Sequence, residues 1–230
     1  TGKSWGQSVS VPSNANNYYN GGGDYDFYYQ SNSNFYGFDI DTDTETKLIN
    51  WIDSDIDSDT LSGIIPLEDG HIICMMNDYR DDDNTMQLAI LTKKDRSEVE
   101  DKTVLTMATL WMSYDLRSAV IQFNRTNPDY RIQVQDYSEF NTDDDYQAGL
   151  TKLNTEIISG NVPDILDVSS VPVRQYEAKG LLEDLYPYID ADSELSRDDL
   201  VTSVMDALSV DGKLYQAASS FYVYTVIGAT

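Results

Sequence analysis

The sequence predicts two architectures in series: an antiparallel, β-rich, propeller-blade-like segment over residues 1–102, then an α/β unit with a mostly parallel sheet over 103–230. Three observations predict this. Five short apolar runs, separated by acid-rich turns, follow one another between Phe35 and Leu91. From Thr103 onward strand-like runs alternate with stretches of helical period. A chain of 230 residues also has length enough for a sizeable core, as one large domain or two small ones.

Residues 1–34 are rich in Ser, Asn, Gly and Tyr around a Gly21-Gly22-Gly23 centre, a composition that reads as a linker. The tyrosines at 18, 19, 25, 28, 29 and 36 alternate with polar residues well enough to allow short strands. Phe35–Ile40, Lys47–Trp51, Gly63–Leu67, His71–Met76 and Met86–Leu91 are the five runs, with Asp69-Gly70 as a tight-turn pair. Strands at this spacing suggest blades of an antiparallel unit, and one or two blades cannot bury their faces alone. The acids Asp53, Asp55, Asp57 and Asp59, and the run Asp81-Asp82-Asp83, invite a calcium reading. A calcium loop counted from Asp53 needs Gly at its sixth position and Glu at its twelfth, where the chain has Ser58 and Ile64, so solvated turns are expected instead. Residues 92–102 read as a charged linker.

In the second half Thr103–Leu110 is a strand. Leu116, Ala119, Val120 and Phe123 mark an amphipathic helix capped near Ser113 and ended before Pro128. Arg131–Val134 alternates as a strand, and Asp143–Asp145 are placed to cap the helix carrying Leu150, Leu153 and Ile157. Gly160 suits a left-handed helix terminus, Pro163 blocks continuation, and Ile165–Val168 is a buried strand interrupted by Asp167. A short helix lies around Val173–Ala178, and Tyr186-Pro187-Tyr188 reads as turn packing. Ser196 and Asp199 resemble a capping pair for a helix carrying Leu200, Val204 and Leu208. Val210-Asp211-Gly212-Lys213 is a hairpin turn. The order βαβαβ implies right-handed crossovers and parallel strands.

Acids outnumber bases 40 to 15, a net charge of −25 spread through both halves, so nucleic acid and anionic membrane surfaces are unsuitable partners. Cys74 is the single cysteine, in the apolar run Ile72–Met76. It cannot form an internal disulfide and reads as a buried, inert thiol. His71 stands alone, without triad or zinc partners in sequence. No cofactor or metal is expected. Thr1 at one end and the apolar run Phe221–Ala229 at the other read as cut ends, with any export signal upstream.

The spaced motifs Phe123-Asn124-x-x-Asn127-Pro128, Ser159-Gly160-x-x-Pro163-Asp164-Ile165, Ala178-Lys179-Gly180-Leu181-Leu182-x-Asp184-Leu185 and Asp211-Gly212-Lys213-x-Tyr215 resemble those of the extracellular solute-binding proteins of ABC importers. The resemblance is to the family 1, carbohydrate-type lipoproteins of Firmicutes, some with a propeller-like segment ahead of the binding domain. It covers roughly 103–230 and implies the first lobe of a periplasmic-binding-protein-like (type II) fold, with the second lobe lying beyond Thr230. It also implies extracellular, lipid-anchored placement, an oligosaccharide ligand captured by lobe closure, and permease subunits as partners.

In such sheets ligands bind beyond the carboxyl ends of the strands. That selects Leu110–Ser113, Asp136–Glu139, Asp167–Ser170 and Phe221–Tyr224. Sugars need aromatic faces for their C–H patches and carboxylates for their hydroxyls, which makes Trp111, Asp167, Ser169, Tyr137 and Tyr222 the candidate ligand-binding residues. Trp111 serves either binding or packing of the strand–helix corner. Asp167 either binds or accepts backbone bonds near Ser169, and in a chain with 17 tyrosines Tyr137 and Tyr222 read as core or rim aromatics before ligand contacts. Two other functions stay open: a cell-surface interaction module docking through the β-rich half, and a glycoside hydrolase with two carboxylates.

Overall fold

The protein is described by a computed structural model over residues 15–78, 85–94, 102–218 and 220–221. Its contacts divide it into two compact units, Thr1–Asp167 and Val168–Thr230.

The first unit begins with a four-stranded antiparallel meander: β1 (Ala15–Gly22), β2 (Tyr25–Ser31), β3 (Asn34–Asp39) and β4 (Thr44–Asn50), paired in chain order. The stretch expected as a linker is therefore strand from Ala15 onward. Its Asn-, Gly- and Tyr-rich composition mimics low complexity, yet the tyrosines are paired across strands. Tyr29 faces Tyr36 with rings stacked at 5.1 Å, and Phe27 faces Phe38 at 4.9 Å. Such cross-strand aromatic pairs are the unit of sheet stability, and they outweigh a local composition poor in aliphatics. The glycine centre is the β1–β2 turn, with Gly23 at φ +60°. Gly37 lies under the Tyr25 ring, where an added Cβ would stand 2.5 Å from ring carbon, so a side chain there would displace the ring.

A second meander, β5 (Leu61–Pro66), β6 (Ile72–Asp78) and β7 (Thr85–Leu91), pairs antiparallel in the order β5-β6-β7. All five expected runs are strands. One face of this sheet (Ile64, Ile72, Cys74) packs on Tyr28, Phe35, Trp51 and Ile56 to form the first core. Burial pushes the Cys74 thiol up to about 11, which keeps it protonated and unreactive near neutrality. The other face carries exposed Ile65, Met86, Leu88 and Ile90, so this sheet is apolar on both sides. Among the described residues the meanders form no closed propeller.

Pairing turns parallel at β8 (Thr103–Thr109), which lies between β9 (Tyr130–Asp136) and the two-residue β10 (Ile165–Leu166). α1 (Tyr114–Thr126) crosses from β8 to β9, with the Ser113 hydroxyl accepting from the Leu116 amide at 3.2 Å. It buries Val120 and Ile121 against Met107 and Ile132 in the second core. Asn124, 1% exposed, joins helix to strand by two bonds: it donates to the Ile132 carbonyl at 2.9 Å and accepts from the Ile132 amide at 2.7 Å. Asp164 accepts from the Thr106 amide and hydroxyl, both at 2.8 Å, and so sets β10 against β8. These bonds stabilise the carboxylate and hold its pKa below the ordinary 3.8.

The turn after β4 joins the two cores. Trp51, fully buried, enters the first core, while Ile52 enters the second. Of the acids next in the chain, Asp53 and Asp59 stay exposed, while Asp55 and Asp57 are partly buried and paired rather than solvated. Arg131 holds Asp55 with two guanidinium nitrogens at 2.9 and 3.1 Å and also donates to the Asp53 carbonyl. Arg117 donates to Asp57 at 3.1 Å and to Asp59, and the Ser118 hydroxyl donates to Asp57 at 2.9 Å. The arginines come from α1 and β9, positions too distant in sequence for local reading to pair. Desolvation raises the pKa of Asp53, offset in part by Arg131 and Lys47. Asp81–Asp83 lie outside the described residues.

α2 (Ala148–Ile158) buries Leu153 and Ile157. Asp143–Asp145 do not cap it: Asp145 accepts from the Gln147 amide, one residue before the helix, and the first-turn Gly149 amide is taken by Asn141 Oδ1 at 2.9 Å. The chain turns at Gly160, φ +92°.

The second unit holds α3 (Val173–Ala178), α4 (Tyr186–Ala191), α5 (Thr202–Leu208) and a two-residue hairpin of β11 (Ser209–Val210) and β12 (Lys213–Leu214). Tyr186-Pro187-Tyr188 opens a helix rather than a turn, because a proline in the first helical turn forgoes no hydrogen bond. The Ser196–Asp199 pair does form a capping box, but on a 3-10 turn, Arg197–Asp199, and α5 starts only at Thr202. Arg197 stacks 3.8 Å above the Tyr186 ring and donates twice to Asp190 at 2.6 Å. Asp211 and Gly212, at φ +50° and +78°, make the expected tight turn.

Two outcomes are expected. Arg117→Ala strands the Asp57 carboxylate, 13% exposed, and lowers stability by about 3 kcal/mol, measured by urea unfolding. Asp164 stabilises the fold above its unfolded pKa, and that contribution is lost as pH falls through its lower folded value. Stability of the native chain therefore drops below about pH 4 with a component that Asp164→Asn removes, as read from unfolding midpoints across acid pH.

Candidate functional site

β8 and β9 run parallel, so their carboxyl ends, Thr109 and Asp136, lie side by side in register. β10 ends beside Ala108, and the Asp167 amide donates to the Ala108 carbonyl at 2.9 Å. This delivers Asp167 to the same end of the sheet. The Thr109 hydroxyl, fully buried, donates to Asp167 Oδ2 at 2.8 Å and accepts from the Trp111 amide at 3.1 Å. One hydroxyl thus positions both the carboxylate and the backbone of the tryptophan. The Trp111 indole is 65% exposed, so it does not fill the strand–helix corner.

Tyr137 has a different role. Tyr137 is 2% exposed and begins a 3-10 turn, Tyr137–Phe140, directly after β9. Its hydroxyl donates to Glu156 on α2, and burial followed by that charge drives its pKa far up. Gly149 of α2 approaches the Tyr137 carbonyl so closely that an added Cβ would stand 2.1 Å from the oxygen. Tyr137 therefore docks α2 through ring and hydroxyl, with Phe140 5.9 Å from its ring. Ser169 is exposed in the second unit. Tyr222 lies outside the described residues.

The structure adds residues that sequence reading passed over. A cavity of about 230 Å³ opens at the carboxyl end of β9. Val134, Gln135, Asp136, Glu139, Phe140 and Met112 line it together with Ser33, Lys47 and Asn50 of the first meander and Ile52 of the turn that follows it. An amide relay joins two of these lining residues: Asn50 Nδ2 donates to Asn34 Oδ1 at 3.0 Å, and Asn34 Nδ2 donates to Glu139 Oε1 at 2.7 Å. Asn34 is 1% exposed, so the Glu139 carboxylate is held by a group that solvent does not reach. The nearby Tyr36 hydroxyl is pushed up to about 12, by burial first and then by Glu139 and Glu45. A single signal was available in sequence, the position of Asp136–Glu139 after a strand. The meander's contribution had none, since Lys47 lies 89 positions before Asp136 and pairing of the two depends on the fold.

These features define an α/β sheet with a polar, aromatic-bearing site at its strand ends, a placement suited to holding a small polar ligand. No protein-family model matches the chain, and no curated protein matches it. Among solved structures the chain is similar to the ABC substrate-binding protein Lmo0181 from Listeria monocytogenes in complex with cycloalternan. The two are 33% identical over 50% of this chain and 28% of that one, with a TM-score of 0.40. A superposition that loose transfers no geometry to this chain. Among the described residues no helix is long and apolar enough to cross a membrane.

Proposed function

We propose that the chain belongs to the solute-binding component of an ABC importer and holds part of an extracellular carbohydrate site, acting by closure around the ligand without chemistry. The observation that carries this reading is the Thr109 hydroxyl fixing Asp167 while Trp111 stands exposed beside it. An exposed indole covers the C–H face of a sugar ring, and a pinned carboxylate accepts its hydroxyls without further ordering cost. The motif series from Phe123 to Tyr215 supports the same family, as does a net charge of −25, which disfavours anionic partners. In this reading the full protein is lipid-anchored, has a second lobe, and meets permease subunits when closed.

Calorimetry with a panel of neutral oligosaccharides on the full-length protein tests it. Saturable binding is expected, weakened at least tenfold by Trp111→Ala and by Asp167→Asn, with no product formed over hours. Release of reducing sugar, or binding untouched by both substitutions, would refute the assignment.

One observation favours a second reading, a protein-docking module: the exposed row Met86, Leu88 and Ile90 on the outer face of β7. Leu88→Lys is then expected to abolish concentration-dependent association in sedimentation velocity and to leave saccharide binding unchanged. A chain that stays monomeric at every concentration counts against it.

A further inference from the structure

The cavity between the first meander and the end of β9 is not explained by the Trp111–Asp167 cluster, and neither residue lines it. Its lining is chemically mixed. Met112, Ile52, Val134 and the Phe140 ring form apolar walls, while Lys47, Asp136 and Glu139 bring one positive and two negative charges. Asp136 spends Oδ1 on the Ser138 amide at 2.9 Å, and Glu139 spends Oε1 on Asn34 at 2.7 Å. Each carboxylate keeps its second oxygen as an acceptor, and Lys47 in the same lining supplies a donor. Lys152 sits 4.6 Å from the centre of the Phe140 ring, fixing that ring by a cation–π contact.

Size and charge select the ligand. At about 230 Å³ the space is several times the roughly 30 Å³ share of one water, so a lone ion or water does not fill it. It falls below the roughly 300–1,000 Å³ of sites for drug-sized ligands, so an oligosaccharide does not fit inside whole. Two carboxylates against one ammonium repel an anion, and Lys47 opposes a bare cation. A ring with C–H faces and several hydroxyls meets every group present: acceptors at Asp136 and Glu139, a donor at Lys47, and an aromatic wall at Phe140.

We propose that this cavity is a subsite for a single uncharged pyranose ring, and that the antiparallel meander is therefore part of the ligand site rather than a separate module. The proposal rests on the solute-binding reading above and assigns to that reading its sugar class and a second contributing segment. Lys47 and Glu139 are the contacts that set specificity. Asn34 is a positioning residue, acting on the sugar through Glu139.

The test follows backbone amides of the isotopically labelled full-length protein by NMR during titration with methyl α-glucoside, glucosamine or glucuronate. Methyl α-glucoside is expected to shift the amides of Lys47 and Asp136–Phe140 saturably, with glucuronate at least tenfold weaker. Lys47→Met and Glu139→Gln, both surface substitutions, each weaken the glucoside about tenfold, and Asn34→Ala does so while moving the carbon resonance of the Glu139 side-chain carboxyl. Glucuronate binding as tightly as the glucoside, shifts unaffected by both substitutions, or no shift with any of the three sugars overturns the proposal. The two readings fail separately. Loss of oligosaccharide binding in Trp111→Ala and Asp167→Asn but not in Lys47→Met and Glu139→Gln removes the subsite and keeps the solute-binding role. Loss only in the latter pair keeps the subsite and removes the role assigned to Trp111 and Asp167.

Discussion

The first unit depends on one turn, Trp51–Asp59. Two successive side chains leave it in opposite directions, Trp51 into the core between the meanders and Ile52 into the core of the parallel sheet. Asp55 is then taken by Arg131, and Asp57 by Arg117 and Ser118. Asp55 adopts φ +58°, a left-handed conformation that aspartate tolerates better than most residues. Burying several carboxylates together is unfavourable unless each meets a cation or donor. In a chain with 40 acids and 15 bases, the arginines of α1 and β9 are spent on this seam.

That seam has a consequence for function. By holding β4 next to the end of β9, it brings Lys47, Asn50 and Ile52 to the strand ends of a different sheet. The Asn50–Asn34–Glu139 relay, centred on buried Asn34, then orients a carboxylate across the same boundary. A buried amide costs stability unless both its donor and its acceptor are used, and Asn34 uses both. Polar residues at strand ends thus come from two sources, the αβ crossovers and the meander.

The motifs that carry the family resemblance turn out to do structural work. Asn124 bonds helix to strand, Asn127 Oδ1 accepts from the amides of Asp129 and Tyr130, and Asp164 sets the β10 register. Gly160 and Gly180 take positive φ, and Asp184 accepts from the Tyr186 and Leu214 amides. Turns and caps leave strong local signals because each needs a particular residue at a particular offset. A ligand site leaves weaker ones, because its residues are drawn from separate elements and several chemistries serve equally.

Local pattern alone specifies the strands from Phe35 to Leu91, the αβ alternation after Thr103, the Ser113 cap, the Gly160 terminus and the Asp211-Gly212 turn. Each follows from periodicity or backbone preference within a few neighbouring residues. Long-range packing, by contrast, makes Ala15–Ser31 a hairpin with the Tyr18 ring against Phe27 and Tyr29, and draws Asp55 and Asp57 to arginines. The same holds for Tyr137, whose ring and hydroxyl dock α2, and for Lys47 and Glu139 sharing a cavity. The physical reason is common to all four: burial and ion pairing depend on contacts tens of residues apart, and local composition does not encode which distant group will arrive.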